Sequence, residues 1–326
     1  MEQEEIIEQR TDLSQLLAAV SKIKASLSNI VVGQQDMIEL LIAGILADGH
    51  VLIEGVPGVA KTLTAKLIAK SIDARFSRIQ FTPDLMPSDV LGTTVFNPKE
   101  SSFGFKPGPI FGNIILVDEI NRAPAKTQSA LFEVMEERQI TMDGTTYKME
   151  EPFIVLATQN PVEHEGTYRL PEAQLDRFLF KIDVKYPTLE EELQILTQQH
   201  SKKTADQLQQ IEAVITVEQI QEYRKIVKGL HVEAKLLEFV AKIIHETRNN
   251  KSLFLGGSPR ASLAIINSAK ALAAMRGRDF VTPEDIIVIT PAVLRHRILL
   301  MPDKEMEGLT PDDIISQIIQ KIEIPR

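Results

Sequence analysis

The sequence predicts an α/β fold, a parallel sheet flanked by helices, followed by an all-helical domain. Short unbroken apolar runs recur at 51–53, 114–117 and 153–156, with a fourth, partly alternating run at 178–184. Such runs suit strands buried on both faces of a parallel sheet. Helical patterns fall between some of them, notably at 61–72 and 124–137, and that alternation argues for a wound sheet. After Pro187 the strand pattern stops and helical periodicity takes over.

In chain order, residues 11–29 place Leu13, Leu16, Leu17, Val20 and Ile23 on one face of an amphipathic helix, and 35–47 read as a second, largely buried helix. The segment 85–110 interrupts the αβ rhythm, with 93–96 and 102–105 reading as a hairpin around Asn97-Pro98. Within 138–149, Asp143-Gly144 sits between two alternating runs, a second hairpin signal. Thr188 and Glu191 have the spacing of a capping box for a helix over 189–200. Residues 201–216 begin as a polar linker, and further helices are predicted near 217–227, 233–247, 259–275 and 283–293. The boundary therefore falls near 187, dividing the chain into 1–187 and 188–326.

Composition narrows the function classes. The 326 residues are 44% hydrophobic but only 5% aromatic, without tryptophan, so aliphatic side chains must fill the core. Cysteine is absent, which excludes disulfides and thiolate metal sites and fits a cytoplasmic protein. Glu2, Glu4, Glu5 and Glu8 leave no apolar leader, and the longest apolar stretch, 40–47, is too short to cross a bilayer, so no direct membrane insertion is expected. The net charge of −9 disfavours sequence-independent nucleic-acid binding. His50, His231 and His296 lack metal-ligand spacing and read as structural, and the basic cluster Arg295-His296-Arg297 reads as a solvated or interdomain face.

The chemistry-bearing signal follows the first strand. Gly55-Val56-Pro57-Gly58-Val59-Ala60-Lys61-Thr62 lies between a strand and a helix, the setting of a phosphate-binding loop. Its backbone N–H groups and the helix N-terminus would wrap phosphates, Lys61 would reach the β and γ phosphates, and Thr62, followed by Leu63, would hold Mg²⁺. Ala60 stands where a glycine is usual, which a helical, negative φ would allow. A second strand ends in Asp118-Glu119. Asp118 is placed to hold Mg²⁺ through water and Glu119 to polarise an attacking water. ATP and Mg²⁺ are the cofactors this pair of motifs calls for.

The stretch 118–128, Asp-Glu-Ile-Asn-Arg-Ala-Pro-Ala-Lys-Thr-Gln, resembles the signature of MoxR-type AAA+ ATPases, similar in architecture to magnesium chelatase subunits. So do Ala157-Thr158-Gln159-Asn160-Pro161 and the run 170–178 that ends in Asp176-Arg177-Phe178. The resemblance spans about 30 to 300 and implies a P-loop AAA+ module with a helical lid, hydrolysing ATP in a homo-oligomeric ring, usually a hexamer. It implies sensor 1 at Asn160, the arginine finger at Arg177 with Arg169 and Arg122 as rivals, and sensor 2 at Arg260. Ser258 and Pro259 suit the N-cap and first position of the helix that carries Arg260. The same resemblance puts Gly33 and Gln34 on the adenine side and projects both hairpins toward the pore or substrate face. It also implies a remodelled or activated protein client, often one carrying a von Willebrand factor A domain. The lid is expected to rotate about 186–188 and carry Arg260 to the γ-phosphate. A nucleic-acid motor and a nucleotide-binding switch of slow turnover remain as other readings.

Overall fold

The computed structural model describes residues 11–56, 58–99, 101–161, 168–201 and 212–325. Helices α1 (Ser14–Ser28) and α2 (Gln35–Leu46) lead into β1 (His50–Gly55) and α3 (Lys61–Ser71). Then come β2 (Phe76–Gln80), α4 (Pro87–Leu91) and the hairpin of β3 (Gly92–Asn97) and β4 (Ser102–Pro107). β5 (Ile114–Asp118) is followed by a 3-10 turn, Ile120–Arg122, and α5 (Ala125–Glu137). The hairpin β6 (Gln139–Met142) and β7 (Thr145–Lys148) precedes β8 (Ile154–Gln159), α6 (Glu172–Leu175) and β9 (Phe178–Val184).

The helical region opens with α7 (Leu189–Ser201), α8 (Val217–Gly229) and α9 (Ala234–Asn249). It continues with β10 (Leu253–Leu255), α10 (Pro259–Met275) and α11 (Pro283–Leu294). It ends with β11 (Leu299–Leu300), α12 (Pro302–Met306) and α13 (Pro311–Lys321).

The central sheet has the order β2-β5-β8-β1-β9, and every pairing is parallel. Successive residues feed opposite cores. On β5, Ile114 and Leu116 point to one hydrophobic cluster and Ile115 and Val117 to the other; β8 does the same with Ile154 and Leu156 against Val155 and Ala157. Burial on both faces is what makes these strands read as unbroken apolar runs. β2 escaped that reading because it is an edge strand. Phe76 and Ser77 are partly exposed and Arg78 and Gln80 are exposed, leaving Ile79 as its one buried residue.

Both hairpins form as expected. Gly92 pairs with Pro107 and Asn97 with Ser102, and the Asp143-Gly144 turn has positive φ at both residues, as a two-residue hairpin turn requires. The Thr188–Glu191 capping box is also present, with the Thr188 N–H donating to Glu191 Oε2 at 2.8 Å.

The basic cluster near the C-terminus joins the helical region to the sheet. Arg297 is buried and donates to Asp176 Oδ1 at 2.8 Å and to the Leu179 carbonyl at 3.0 Å. His296 bonds the Phe178 carbonyl at 2.9 Å, and Arg295 donates to the Lys181 carbonyl at 3.2 Å. Of the two readings of this cluster, the interdomain face is the one observed. One hydrophobic cluster runs from α1, α2 and α3 through α8 to α11 and α13.

Candidate active site

β8 lies between β5 and β1, so the loops leaving the C-terminal ends of these three strands meet in one place. Open parallel sheets bind ligands there. A cavity of about 370 Å³ is lined by Gly58, Ala60, Lys61, Thr62 and Leu63 from the loop after β1, by Asp118 and Glu119 after β5, and by Thr158 and Asn160 from the end of β8. The motifs the sequence singled out thus converge. Val56 and Val59 pack inward against the core beneath the loop, and Pro57 lies outside the described residues.

Asp118 is 5% exposed and held from three sides. The Thr62 hydroxyl donates to its Oδ1 at 3.2 Å, the Thr158 hydroxyl to the same oxygen at 3.1 Å, and Arg78 Nε to its Oδ2 at 2.7 Å. Glu119 accepts from Gln80 Nε2 at 2.6 Å and pairs with Arg122 at 3.2 Å. Its own N–H donates to Thr158 Oγ1, so one hydroxyl fixes both acids relative to each other. Lys61 Nζ donates to the Gly55 carbonyl and, at 3.3 Å, to that of Gln159, which ties the phosphate loop to β8. Arg78 and Gln80 were missed in the sequence because β2 itself was missed.

The loop fits phosphate by shape. Gly58 has φ +88°, and a Cβ built there would meet nothing within 4 Å, so its backbone faces open space. At Gly55 a Cβ would come within 2.9 Å of the Val184 carbonyl, which restricts that position to glycine. Ala60 departs from expectation. Its φ is +59°, a left-handed conformation at the helix N-cap, and not the negative φ of a first-turn residue. Ala60 thus holds, at the entry to α3, a conformation that glycine adopts without steric cost.

Comparison with known proteins gives the site its context. Residues 50–180 match the ATPase family associated with various cellular activities (AAA), and residues 245–318 match the AAA lid domain. The chain is 45% identical to Chaperone MoxR1 of Mycobacterium tuberculosis, over 91% of this chain and 80% of that one. It is 46% identical to the uncharacterized protein YeaC of Bacillus subtilis, over 92% of each. A crystal structure of a putative ATPase from Cytophaga hutchinsonii superposes with a TM-score of 0.87 at 40% identity, covering 96% of this chain and 97% of that one. The chain belongs to the MoxR family of AAA ATPases.

In this MoxR-family chain Gly33 and Gln34, expected on the adenine side, line a second cavity, of about 600 Å³, together with Val184, Lys185 and Thr188. Gly55 pairs with Val184, so this cavity adjoins the phosphate loop.

The four arginines singled out by the sequence lie in different places. Arg177 immediately precedes Phe178, the strand partner of His50, and therefore lies at the N-terminal edge of the sheet. It donates to the Phe132 carbonyl and lies 3.9 Å from Glu136. Arg260 also pairs with Glu136, at 2.7 Å, and so cannot reach the phosphate cavity of its own chain in this arrangement. The cause is local. Ser258 does hold the N-cap and Pro259 the first helical position, but the Ser258 hydroxyl turns to Asp176 at 3.3 Å and makes no cap bond. Asp176 is the residue that anchors Arg297, so the start of α10 is fastened at the sheet's N-terminal edge. Arg122 sits on its own Glu119, and Arg169 is exposed beside Glu172 at 3.7 Å.

No helix among the described residues is long and apolar enough to cross a membrane.

Proposed function

We propose that this ATPase hydrolyses ATP with Mg²⁺ at the contacts of a head-to-tail homo-oligomeric ring, and that the ring remodels or activates a protein client. One observation carries the reading. Arg177 and Arg260 meet at Glu136, about 20 Å from the phosphate loop along the seven-residue strand β9. Only the phosphates of a neighbouring copy would come within their reach. The same reading gives Arg260 to the next subunit in place of its own lid closing over its own nucleotide, and its pairing with Glu136 supports that.

Within one chain, the backbone of the loop around Gly58 and the N-terminus of α3 hold the phosphates, with Lys61 as their charge partner. Gly33 and Gln34 take the adenine side. Among the described residues no group of three or more His, Cys, Asp and Glu could hold a metal alone. A hydroxyl and one carboxylate, Thr62 and Asp118, suit Mg²⁺, which completes its shell with water and phosphate oxygens. Bound Mg²⁺ supplies positive charge to the β and γ oxygens. Glu119 orients and polarises the attacking water, and Asn160, 6% exposed at the end of β8, aligns it.

Mixing two inactive variants tests the trans arrangement. Arg177→Ala should bind ATP but hydrolyse it slowly, since a finger of this kind is worth about 10³–10⁵ in rate. Glu119→Gln should bind and fail to hydrolyse. In co-assembled equal mixtures, roughly a quarter of interfaces pair an intact Glu119 with an intact Arg177. Activity should recover toward that fraction. No recovery would place the finger in its own chain or on another arginine.

A further inference from the structure

β9 is the last strand of its sheet, with β1 on one side and no strand on the other. Such an edge presents N–H and C=O groups that no neighbouring strand takes, at every second residue. In β9 the outward peptides are the odd-numbered ones, because side chains from outside the sheet reach them. Arg297 donates to the Leu179 carbonyl at 3.0 Å, Arg295 to that of Lys181 at 3.2 Å, and Gln34 to that of Lys185 at 3.5 Å. Asp183 lies within this series. Among the described residues, no side chain or loop is bonded to the Asp183 carbonyl or to the Lys185 N–H.

These two groups stand where a ligand can meet them. Asp183 and Lys185 are exposed, and both line the cavity of about 600 Å³ that adjoins the phosphate loop. α2 contributes Met37 and Leu40 to its walls and α11 contributes Val288 and Ala292, apolar surfaces suited to a flat ring. Asp183 is the strand partner of Glu54, the residue before Gly55, so this edge runs beside the start of the phosphate loop.

We propose that the edge of β9 reads the base of the nucleotide, the 6-amino group of adenine donating to the Asp183 carbonyl and N1 accepting from the Lys185 N–H. The inference rests on the adenine-side reading of this cavity and adds the atoms that make the site choose adenine. Adenine offers a donor beside an acceptor, the complement of the strand's carbonyl and N–H. Guanine and hypoxanthine offer the reverse, an oxygen at C6 and a proton on N1. Either would set acceptor against acceptor and donor against donor, and a stranded polar pair costs more than a missing contact. The reading groups belong to the backbone, so no side-chain motif announces them in the sequence.

Calorimetric titration of the wild-type chain with analogues of ADP, in the presence of Mg²⁺, tests each atom without turnover. Purine riboside diphosphate lacks the 6-amino group and 1-deaza-ADP lacks N1. Each should bind about tenfold more weakly than ADP. IDP, which reverses both groups, should bind more weakly than either. 7-deaza-ADP, altered on the other edge of the base, should match ADP. Lys185→Pro removes one N–H just past the end of β9 and should bring ADP down to the affinity of 1-deaza-ADP. Asp183→Ala and Lys185→Ala keep both backbone groups and should keep the discrimination. Equal binding of ADP and 1-deaza-ADP by the wild type, or loss of discrimination in either alanine variant, would overturn the backbone reading. The chain has no tryptophan, so Val288→Trp places a single indole at this cavity. ADP should quench its emission and inorganic pyrophosphate should not. Quenching by ADP, with no discrimination among the analogues, would overturn the role of the β9 edge and leave the adenine-side reading standing. ADP binding without quenching would sink the adenine-side reading, and the β9 edge with it.

Discussion

Ala60 and Glu119 both hold positive φ, +59° and +58°, on either side of the phosphate cavity. Neither is a glycine, and a left-handed conformation costs an ordinary L-residue roughly 1–2 kcal/mol. Strain of this kind collects where the surrounding structure fixes a functional group. At Glu119 it aims the carboxylate at Gln80 and Arg122 across the mouth of the cavity. At Ala60 the side chain contributes nothing that the conformation needs. Ala60→Gly should therefore raise unfolding stability by about 1 kcal/mol, the left-handed penalty less the entropy glycine adds to the unfolded chain. Chemical denaturation would show it, and a loss of stability would mean that the Ala60 methyl packs more tightly than its strain costs. Arg78 supports a second prediction. Its guanidinium occupies one oxygen of Asp118 at 2.7 Å and opposes a metal there. Removing a partly exposed charge next to the site should be worth on the order of 1 kcal/mol. Arg78→Ala should lower the Mg²⁺ concentration that gives half-maximal ATPase activity about fivefold. An unchanged requirement would mean that Arg78 leaves Asp118 when nucleotide binds.

Among the elements, β9 and the turn after α11 decide how the helical region sits. Arg297 is 4% exposed at its side chain and is satisfied by Asp176 and three carbonyls, those of Asp176, Leu179 and Phe178, with a further bond back to Val293 in α11. Burial pulls its pKa down, and the Asp176 carboxylate pulls it back up. Removing one partner from a buried pair typically costs about 3–5 kcal/mol, because the remaining groups lose their bonds without regaining water. Arg297→Met should destabilise the protein by about that amount, and hydrogen exchange should rise first in β9 and α11. A loss under about 1 kcal/mol would show that the hydrophobic cluster alone holds the regions together. This fastening also makes a free rotation about 186–188 costly, since the start of β9 would have to release Arg297 and His296.

For the molecule as a whole, two buried histidines set the acid limit of stability. His50 accepts from the Val155 N–H and donates to the Met135 carbonyl, which requires the neutral ring. Its pKa falls to about 4, chiefly through burial, and burial also drives His296 well below its ordinary value. The unfolded chain titrates His50 near 6.5 and the folded chain near 4, so between those values the unfolded state binds the extra proton. Stability is therefore full above about pH 6.5 and is lost as pH falls toward 4. For His50 alone the loss between pH 7 and pH 5 is about 2 kcal/mol. Urea unfolding at the two pH values checks this. His50→Gln should be less stable at pH 7 yet show a shallower acid slope, and an unaltered slope would assign the acid sensitivity elsewhere.

The sequence by itself determined what is written in local order. Val51-Leu52-Ile53 followed by Gly55 to Thr62, the buried strand that ends at Asp118-Glu119, the Asp143-Gly144 turn and the Thr188–Glu191 cap each carry their signal in adjacent residues. Steric and hydrogen-bonding preferences act at that range. α13 was missed although its Thr310–Asp313 cap and its buried Ile314, Ile315, Ile318 and Ile319, at helical spacing, were both there to be read. Only the tertiary structure could decide the rest. The edge strand β2 brings Arg78 and Gln80 onto the two acids from forty and thirty-nine positions away in the chain. Ala60 takes its left-handed conformation at the entry to α3. Arg177 and Arg260 meet on Glu136 because Asp176 binds both Ser258 and Arg297 and so fixes the start of α10 at the far edge of the sheet. A side chain's role in these cases depends on which edge of the sheet it reaches, and the packing of distant elements sets that.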